Sequence, residues 1–513
     1  MPSDTRGLRS LVAAFGAAGV AVSLAYVVPG WETSRPWNPG EPLPLARSLL
    51  PQAEARVVED DKGELVAAPV AVDPGRPPVD DLGTGGAVAS SDRVEKPVLP
   101  GAAQGPPTGN DPGVAAPIEV SIAADPSLPP RPPGVPQALV DPGHRGMAPF
   151  YRALSRGEGL ARAAHYGDST IAADGISGTV RSRLQARFGN GGPGFISAGN
   201  DPRWSVRPDV KSSKSGDWET VTILLGGGKG RYGYGGTASN AADGAYVVVH
   251  APKGADGAPV PMSRLDLYMQ TRPGAGQWWA SVDDHGVGGG TAASEARADA
   301  VQRLSTASTF TKLAFGASGG PVTFYGAVME TSGPGVVWDA LGVVGVGSKS
   351  FKYHDKTALA AQVAERSPDL VVVMIGGNET GFPAVMAGKG EGYQAIYREA
   401  VQILRGGAPA AGCLLVTPLD QGTREGGTPR SKPAMAKMVA AQRAVAEAEG
   451  CAFWDARAAM GGDGAIVRWS TRKPTLAWAD LLHLSAAGQD LVGNMLADAI
   501  EAGHAGWLAE GSP

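Results

Sequence analysis

The apolar and polar positions of this chain fall into several distinct regimes. The first is an uncharged apolar run of 18 residues, Leu11–Val28, preceded by Arg6 and Arg9. It is just long enough to cross a bilayer as a helix, and its positive flank predicts a cytoplasmic N-terminus with the remainder exported. A cleaved signal peptide is the alternative. The absence of a clear small-x-small cleavage site favours an uncleaved anchor. From Pro29 to about Gly143 the periodicity disappears. Runs such as Arg76-Pro77-Pro78 and Leu128-Pro129-Pro130-Arg131-Pro132-Pro133 recur among Ala, Val, Asp and Gly. Such a segment buries too little apolar surface to offset chain entropy and reads as a semi-extended tether. A short piece within it, Glu54–Ala67, has the composition to pair locally.

Order is predicted to begin near Met147, with a short helix over Met147–Leu160. Ala161–Tyr166 then reads as a buried strand that stops at Gly167-Asp168-Ser169. Ile176, Val180, Leu184 and Phe188 follow at helical spacing, and a glycine cluster at 189–194 ends that helix. From Trp204 to about Asp339 the pattern changes to short alternating runs separated by Gly, Asn, Asp and Ser: Thr220–Leu225, Ala245–His250, Arg264–Tyr268, Trp278–Val282, Phe310–Phe315, Val322–Val328 and Val336–Trp338. Regular short strands with turn signals predict a β-sandwich. An α/β rhythm then returns. Ala340–Val346, Asp369–Ile375, Cys413–Thr417 and Cys451–Asp455 read as strands, and Thr357–Arg366, Tyr393–Leu404, Pro433–Ala448 and Ser485–Ala502 as helices. The expected organisation is a discontinuous α/β domain, residues 146–202 and 340–513, interrupted by a β-rich insert over 203–339.

Composition narrows the partners. The chain of 513 residues has a net charge of −5 and no long basic run, so no nucleic-acid groove is expected. Its two cysteines, Cys413 and Cys451, exclude a cysteine zinc site, and leave both a disulfide and two buried thiols open. The insert holds Trp204, Trp218, Tyr268, Trp278, Trp279 and Trp338. Most should pack its core. In an alternating strand, however, one of the adjacent pair Trp278 and Trp279 must face outward, where a flat ring suits a sugar face.

The candidate chemistry is nucleophilic. A strand–turn–helix places Ser169 at the carboxyl end of a parallel strand, where open α/β sheets hold their ligands. His483 lies in Asp480-Leu481-Leu482-His483, just before the last helix. A carboxylate three residues before an imidazole can accept its Nδ1–H and leave Nε2 for a serine. Asn378, in Gly376-Gly377-Asn378 after the apolar strand, and Gly345, after the strand resumed beyond the insert, are candidate oxyanion donors, with the Ser169 N–H as a third.

In this order, Gly167-Asp168-Ser169, Gly345, Gly376-Gly377-Asn378 and Asp480-x-x-His483 resemble the four blocks of the SGNH/GDSL hydrolases. HYGDS, RLQARFGNGGPGF, GPGVVWDALGVVGVGS and GGNET further resemble exported bacterial polysaccharide and peptidoglycan O-acetylesterases and O-acetyltransferases, several of which carry a carbohydrate-binding-module-like β-sandwich after the first block. The resemblance spans about Met147–Gly506. It implies a flavodoxin-like three-layer hydrolase sandwich with a parallel sheet, interrupted by an inserted β-sandwich. It further implies a Ser169/His483/Asp480 triad and an oxyanion hole from Gly345 and Asn378, to which strand alternation adds Trp278 or Trp279 as a candidate sugar contact. No metal or organic cofactor is expected. The substrate would be an acetylated polysaccharide, with the membrane engaged through the N-terminal helix. A transferase would add a membrane acyl-transfer partner, and a non-catalytic polysaccharide-binding protein is the remaining reading. The third block of that family often reads Gly-x-Asn-Asp or Gly-Thr-Asn-Glu, and Gly376-Gly377-Asn378-Glu379 is close to the second form, whereas Val344 departs from the second block, which often has Asn in its place.

Overall fold

The computed structural model describes residues 57–59, 65–67, 137–199, 205–224, 230–387, 390–425 and 427–511. The apolar run 11–28, most of the Pro-rich stretch and Trp204 lie outside these residues. Among those described, no helix is long and apolar enough to cross a membrane. Contacts divide the chain into Met1–Val72 and Asp73–Pro513. In the first unit, Val57–Glu59 pairs antiparallel with Leu65–Ala67, within the Glu54–Ala67 piece that the sequence left open to local pairing. The second unit carries the α/β sheet and the candidate site residues.

Its centre is a parallel sheet of five strands: β1 (Leu160–Gly167), β2 (Gly335–Gly342), β3 (Leu370–Met374), β4 (Gly412–Val416) and β5 (Ala452–Trp454), in the spatial order β2-β1-β3-β4-β5. That 2-1-3-4-5 order is flavodoxin-like, and its crossover reverses between β1 and β3. The strands are continuous apolar runs because both sheet faces are covered. Leu370, Val372 and Met374 of β3 enter one buried cluster, and Val371, Val373 and Ile375 enter the other. On the first face pack α1 (Ala148–Ser155), α3 (Gly175–Phe188) and α7 (Ala486–Ala509). On the second pack α4 (Lys356–Arg366), α5 (Glu391–Arg405) and α6 (Ala434–Glu449). Period-two side-chain alternation thus divides one hydrophobic strand between two helix layers.

The single helix expected after the first strand is two. A one-turn α2 (Ser169–Ala172) precedes α3, and Asp174 between them takes left-handed backbone at φ 54°. The Asp174 carboxylate accepts hydrogen bonds from Ser177 Oγ at 2.8 Å and from Arg181, so the break is held by buried polar partners.

Cys413 and Cys451 are disulfide-bonded, their Cα atoms 4.7 Å apart, across the neighbouring starts of β4 and β5. This resolves the alternative that composition left open.

Between β1 and β2 lie two antiparallel sheets. One has five strands, in the order His285–Thr291, Gln277–Val282, Lys312–Ser318, Tyr246–His250 and Lys211–Ser215. The other orders Ala298–Leu304, Arg264–Thr271, Val322–Glu330, Thr237–Ala241 and Trp218–Thr222, with Gly194–Ser197 also paired to Val322–Glu330. Leu313, Phe315 and Val249 of the first sheet share one buried cluster with Leu267, Met269 and Phe324 of the second.

Two expectations need correction here. Val336–Trp338 is no part of the insert. It lies inside β2 and pairs in parallel with Ala161–Ala163. Gly194–Ser197, expected in the first hydrolase segment, joins the antiparallel sheet instead. Both are short apolar runs that would satisfy either sheet, and only long-range pairing decides between them.

Candidate active site

The carboxyl ends of β1, β2 and β3 converge where the strand order reverses. Ser169 opens α2 directly after β1, and the Asp168 side chain caps that turn by accepting from Thr170 N at 3.0 Å. The turn lies hard against β2: a Cβ on Gly342 would come within 2.1 Å of Ala172 N, so only glycine admits this approach.

From the far end of the chain, the segment before α7 brings His483 to Ser169. Ser169 Oγ lies 3.3 Å from His483 Nε2. His483 Nδ1 lies 2.8 Å from Asp480 Oδ2. The other Asp480 oxygen, Oδ1, accepts from the backbone N–H groups of Leu482 at 2.9 Å and His483 at 3.1 Å. Both carboxylate oxygens are therefore engaged, and the imidazole is presented with Nε2 toward the hydroxyl. The His483 and Asp480 side chains remain 53% and 42% exposed, so water reaches this edge.

The electrostatics follow from this geometry. The hydrogen bond to Asp480 raises the His483 pKa above its ordinary value. Burial opposes the rise, while the Asp480 and Asp168 charges add to it. For Asp480, burial alone would push the carboxyl up, but the three hydrogen bonds from His483 and Leu482 outweigh it and the net shift is downward.

Asn378 sits on a short turn, Gly377–Glu379, after β3. Its Nδ2 donates to Val346 O at 2.9 Å, binding this turn to the loop that carries Gly345 and leaving one amide hydrogen free for another acceptor. Gly345 occupies that loop with φ +84°, a conformation suited to glycine.

Two carboxylates contribute in ways that sequence reasoning missed. Asp168, read only as a turn residue, also accepts from Gly377 N at 3.2 Å and so ties the serine turn to the Asn378 turn. Burial raises its pKa, with the hydrogen bonds from Thr170 and Gly377 opposing. Glu379 is fully buried and accepts from Ser348 N at 3.0 Å and Ser348 Oγ at 2.7 Å, linking the Asn378 turn to the Gly345 loop a second time. The available signal was its position beside Asn378, but nothing local indicates where its carboxylate goes.

The aromatic pair divides as strand alternation requires. Trp278 is buried in the core between the two antiparallel sheets. This corrects its candidacy as a sugar contact, because no ring face remains for a ligand. Trp279 points the other way, half-buried, with the Tyr246 ring 6.1 Å distant. Trp338 is also buried, its Nε1 donating to His165 Nδ1 at 3.2 Å. Among the described residues no cluster of His, Cys, Asp and Glu could hold a metal ion.

With this geometry in hand, comparison with known proteins is informative. Residues 279–491 match the GDSL-like lipase/acylhydrolase family. The chain carries an SGNH-type GDSL acylhydrolase domain. The matched span begins inside the insert and misses the Ser169 turn, which the long interruption separates from the other blocks. No curated protein sequence matches the chain. Among solved structures, a peptidoglycan O-acetylesterase aligns with a TM-score of 0.59 at 23% identity, covering 72% of this chain and 99% of its own. A family two carbohydrate esterase from Clostridium thermocellum, at 13% identity, covers 53% and 95% with a TM-score of 0.26. An acetylxylan esterase from Geobacillus stearothermophilus, at 22% identity, covers 33% and 73% with a TM-score of 0.24. The peptidoglycan O-acetylesterase alignment establishes the shared fold, and the family match makes this SGNH hydrolase a serine hydrolase of the esterase class.

Proposed function

We propose that this SGNH hydrolase is an exported esterase that removes O-acetyl groups from a cell-envelope or extracellular polysaccharide. The observation that carries this reading is the relay from Ser169 Oγ to His483 Nε2 at 3.3 Å and from His483 Nδ1 to Asp480 at 2.8 Å. Ser169 Oγ attacks the acetyl carbonyl while His483 Nε2 takes its proton, and Asp480 stabilises the imidazolium. The developing oxyanion accepts from the free Asn378 amide hydrogen and from the Gly345 and Ser169 backbone N–H groups. As the tetrahedral adduct collapses, His483 returns the proton to the departing sugar oxygen. Water, activated by the same imidazole, then hydrolyses the acetyl-serine.

Three further observations support the finer parts of this reading. A disulfide between Cys413 and Cys451 suits an oxidising compartment outside the cytoplasm. The Leu11–Val28 run would supply either the anchor or the export signal. The two antiparallel sheets with their shared core read as an inserted, carbohydrate-binding-like β-sandwich, on which Trp279 and Tyr246 offer adjacent rings for a sugar face. A transferase reading is favoured by the same apolar run, which would hold the enzyme beside a membrane acetyl donor. The exposure of His483 and Asp480 favours hydrolysis, because water is not excluded from the acyl-enzyme.

Labelling with a fluorophosphonate followed by mass spectrometry tests the core assignment: the adduct is expected on Ser169, and an adduct elsewhere, or none, refutes it. Measuring free acetate against acetylated oligosaccharide, from an acetyl donor and an acceptor sugar, separates hydrolysis from transfer.

A further inference from the structure

A hairpin, Gly422–Glu425 paired with Thr428–Ser431, stands beside the candidate site. Gly422 N donates to Leu481 O at 2.7 Å, and the Arg424 guanidinium donates to Ala479 O at 3.3 Å, so the hairpin is fastened to the turn that carries Asp480 and His483. Lys432 follows it directly. Its ammonium reaches across to the Asn378 side of the site, donating to Thr380 Oγ1 at 3.1 Å and to Gln421 Oε1 at 3.0 Å. Both acceptors are neutral. Among the described residues Lys432 forms no ion pair and its third N–H has no protein acceptor, although the side chain is only partly exposed. Burial lowers its pKa, with no neighbouring carboxylate to compensate.

The described carboxylates at this edge are all otherwise engaged. Asp168 accepts from Thr170 and Gly377 backbone N–H groups, Glu379 is taken by Ser348, Asp420 pairs with Arg457 at 2.9 Å, and Asp480 holds His483. The cations at the edge are not balanced in this way. Besides Lys432 and Arg424, Lys349 on the loop after Gly345 is exposed, with its ammonium 4.8 Å from the Phe382 ring centroid and no ion-pair partner among the described residues. Among the described residues, Lys432, Arg424 and Lys349 thus have no ion-pair partner, although the chain carries a net charge of −5. A partly desolvated ammonium with a free donor is costly unless an anion completes it.

We propose that Lys432, with Arg424 and Lys349 around it, is a specificity-determining cation that selects an acetylated glycan bearing carboxylates, such as a uronic-acid-containing polysaccharide, over a neutral one. The inference rests on the esterase reading above. The free N–H of Lys432 would receive a carboxylate carried by the acetylated sugar itself and hold the ester over Ser169. A carboxylate makes this contact in the ground state and the transition state alike, so its effect belongs in KM.

The test uses a matched pair of substrates, fully acetylated methyl glucuronoside and fully acetylated methyl glucoside, assayed with the whole protein. Wild type is expected to favour the glucuronoside about tenfold in kcat/KM at low salt, chiefly through KM, and raising the salt to about 0.5 M should shrink that preference. Lys432→Met should bring the glucuronoside-to-glucoside ratio close to one, and Lys432→Arg should restore most of it. A wild-type ratio near one overturns the proposal without any variant, as does a Lys432→Met ratio equal to that of wild type. Failure to hydrolyse either acetate would refute the esterase reading itself, an outcome distinct from hydrolysis without preference.

Discussion

Two charged constellations sit in the same α/β domain under opposite conditions. At the carboxyl ends of the strands, Asp480, His483 and Ser169 lie on an exposed edge, joined by a few hydrogen bonds. At the junction with the antiparallel sheets, Arg366 of α4 is wholly buried between Glu330, at 2.6 Å, and Asp339 of β2, at 2.7 Å. Arg162 also binds Glu330, the Tyr234 hydroxyl donates to Asp339 at 3.1 Å, and the Phe195 N–H donates to Asp339 at 2.8 Å. The buried cluster spans β1, β2, α4 and the insert, so it holds the insert against the hydrolase core. The difference teaches where each kind of charge belongs. A base that must exchange protons with substrate and water needs access, whereas charges that lock two modules must be completely paired, because an unpartnered ion there costs several kcal/mol.

The comparison can be broken most sharply at the serine. Ser169→Ala should lower kcat/KM for an aryl acetate by at least about 10⁴-fold, while the thermal midpoint stays within about 1 °C, since the hydroxyl lies at the site edge. Asp480→Asn should cost about 10⁴-fold in kcat through loss of the correct imidazole tautomer, again with little change in melting. The buried cluster should answer in the opposite way. Arg366→Met, leaving buried Asp339 without its ion-pair partner and Glu330 with Arg162 and Arg264 only, should destabilise the fold by about 3 kcal/mol in denaturant unfolding, while turnover per fluorophosphonate-reactive site is retained. Equal losses of activity and stability in either variant would erase the distinction. Trp279→Ala is expected to have a smaller effect, weakening retention on an acetylated polysaccharide about tenfold in affinity electrophoresis.

The pH dependences should also diverge. His483 must be neutral to accept a proton, and its pKa is raised. Activity should therefore fall on acidification through a limb lying above the ordinary 6.5, and that limb should move down in Asp480→Asn. Any stability from the His483–Asp480 pair is complete below the ordinary 6.5 and lost as pH rises through the raised value. Glu330 behaves in reverse. Burial pushes it up, but the Arg366, Arg162 and Arg264 guanidiniums prevail and hold it at about 2. Its stabilisation is complete above about pH 4.5 and lost as pH falls toward 2, so it should appear in acid unfolding and not in the activity profile.

Much of the α/β core was legible because helices and doubly buried strands carry their periodicity locally. Leu370–Met374 was readable from its apolar run, and α7 from Leu491, Leu496 and Ile500, although α7 continues to Ala509, beyond where its pattern was expected to end. Ser169, Asp480 and His483 were readable as residues with a chemistry. Val336–Trp338 was misplaced because a short apolar run fits a sandwich strand and a parallel strand equally well. Its partner, Ala161–Ala163, lies across the entire insert. Asp168 and Glu379 were passed over because their second partners, Gly377 and Ser348, come from other strands' loops.

By itself, then, the sequence determined the identity of the elements and the types of chemistry available, since burial pattern, turn residues and side-chain reactivity are properties of neighbouring positions. The tertiary structure alone decided which runs share a sheet, which of two adjacent tryptophans faces solvent, and which carboxylates meet which donors. Those outcomes depend on contacts between residues hundreds of positions apart, where hydrogen-bond geometry and the exclusion of unpaired charge admit only one arrangement.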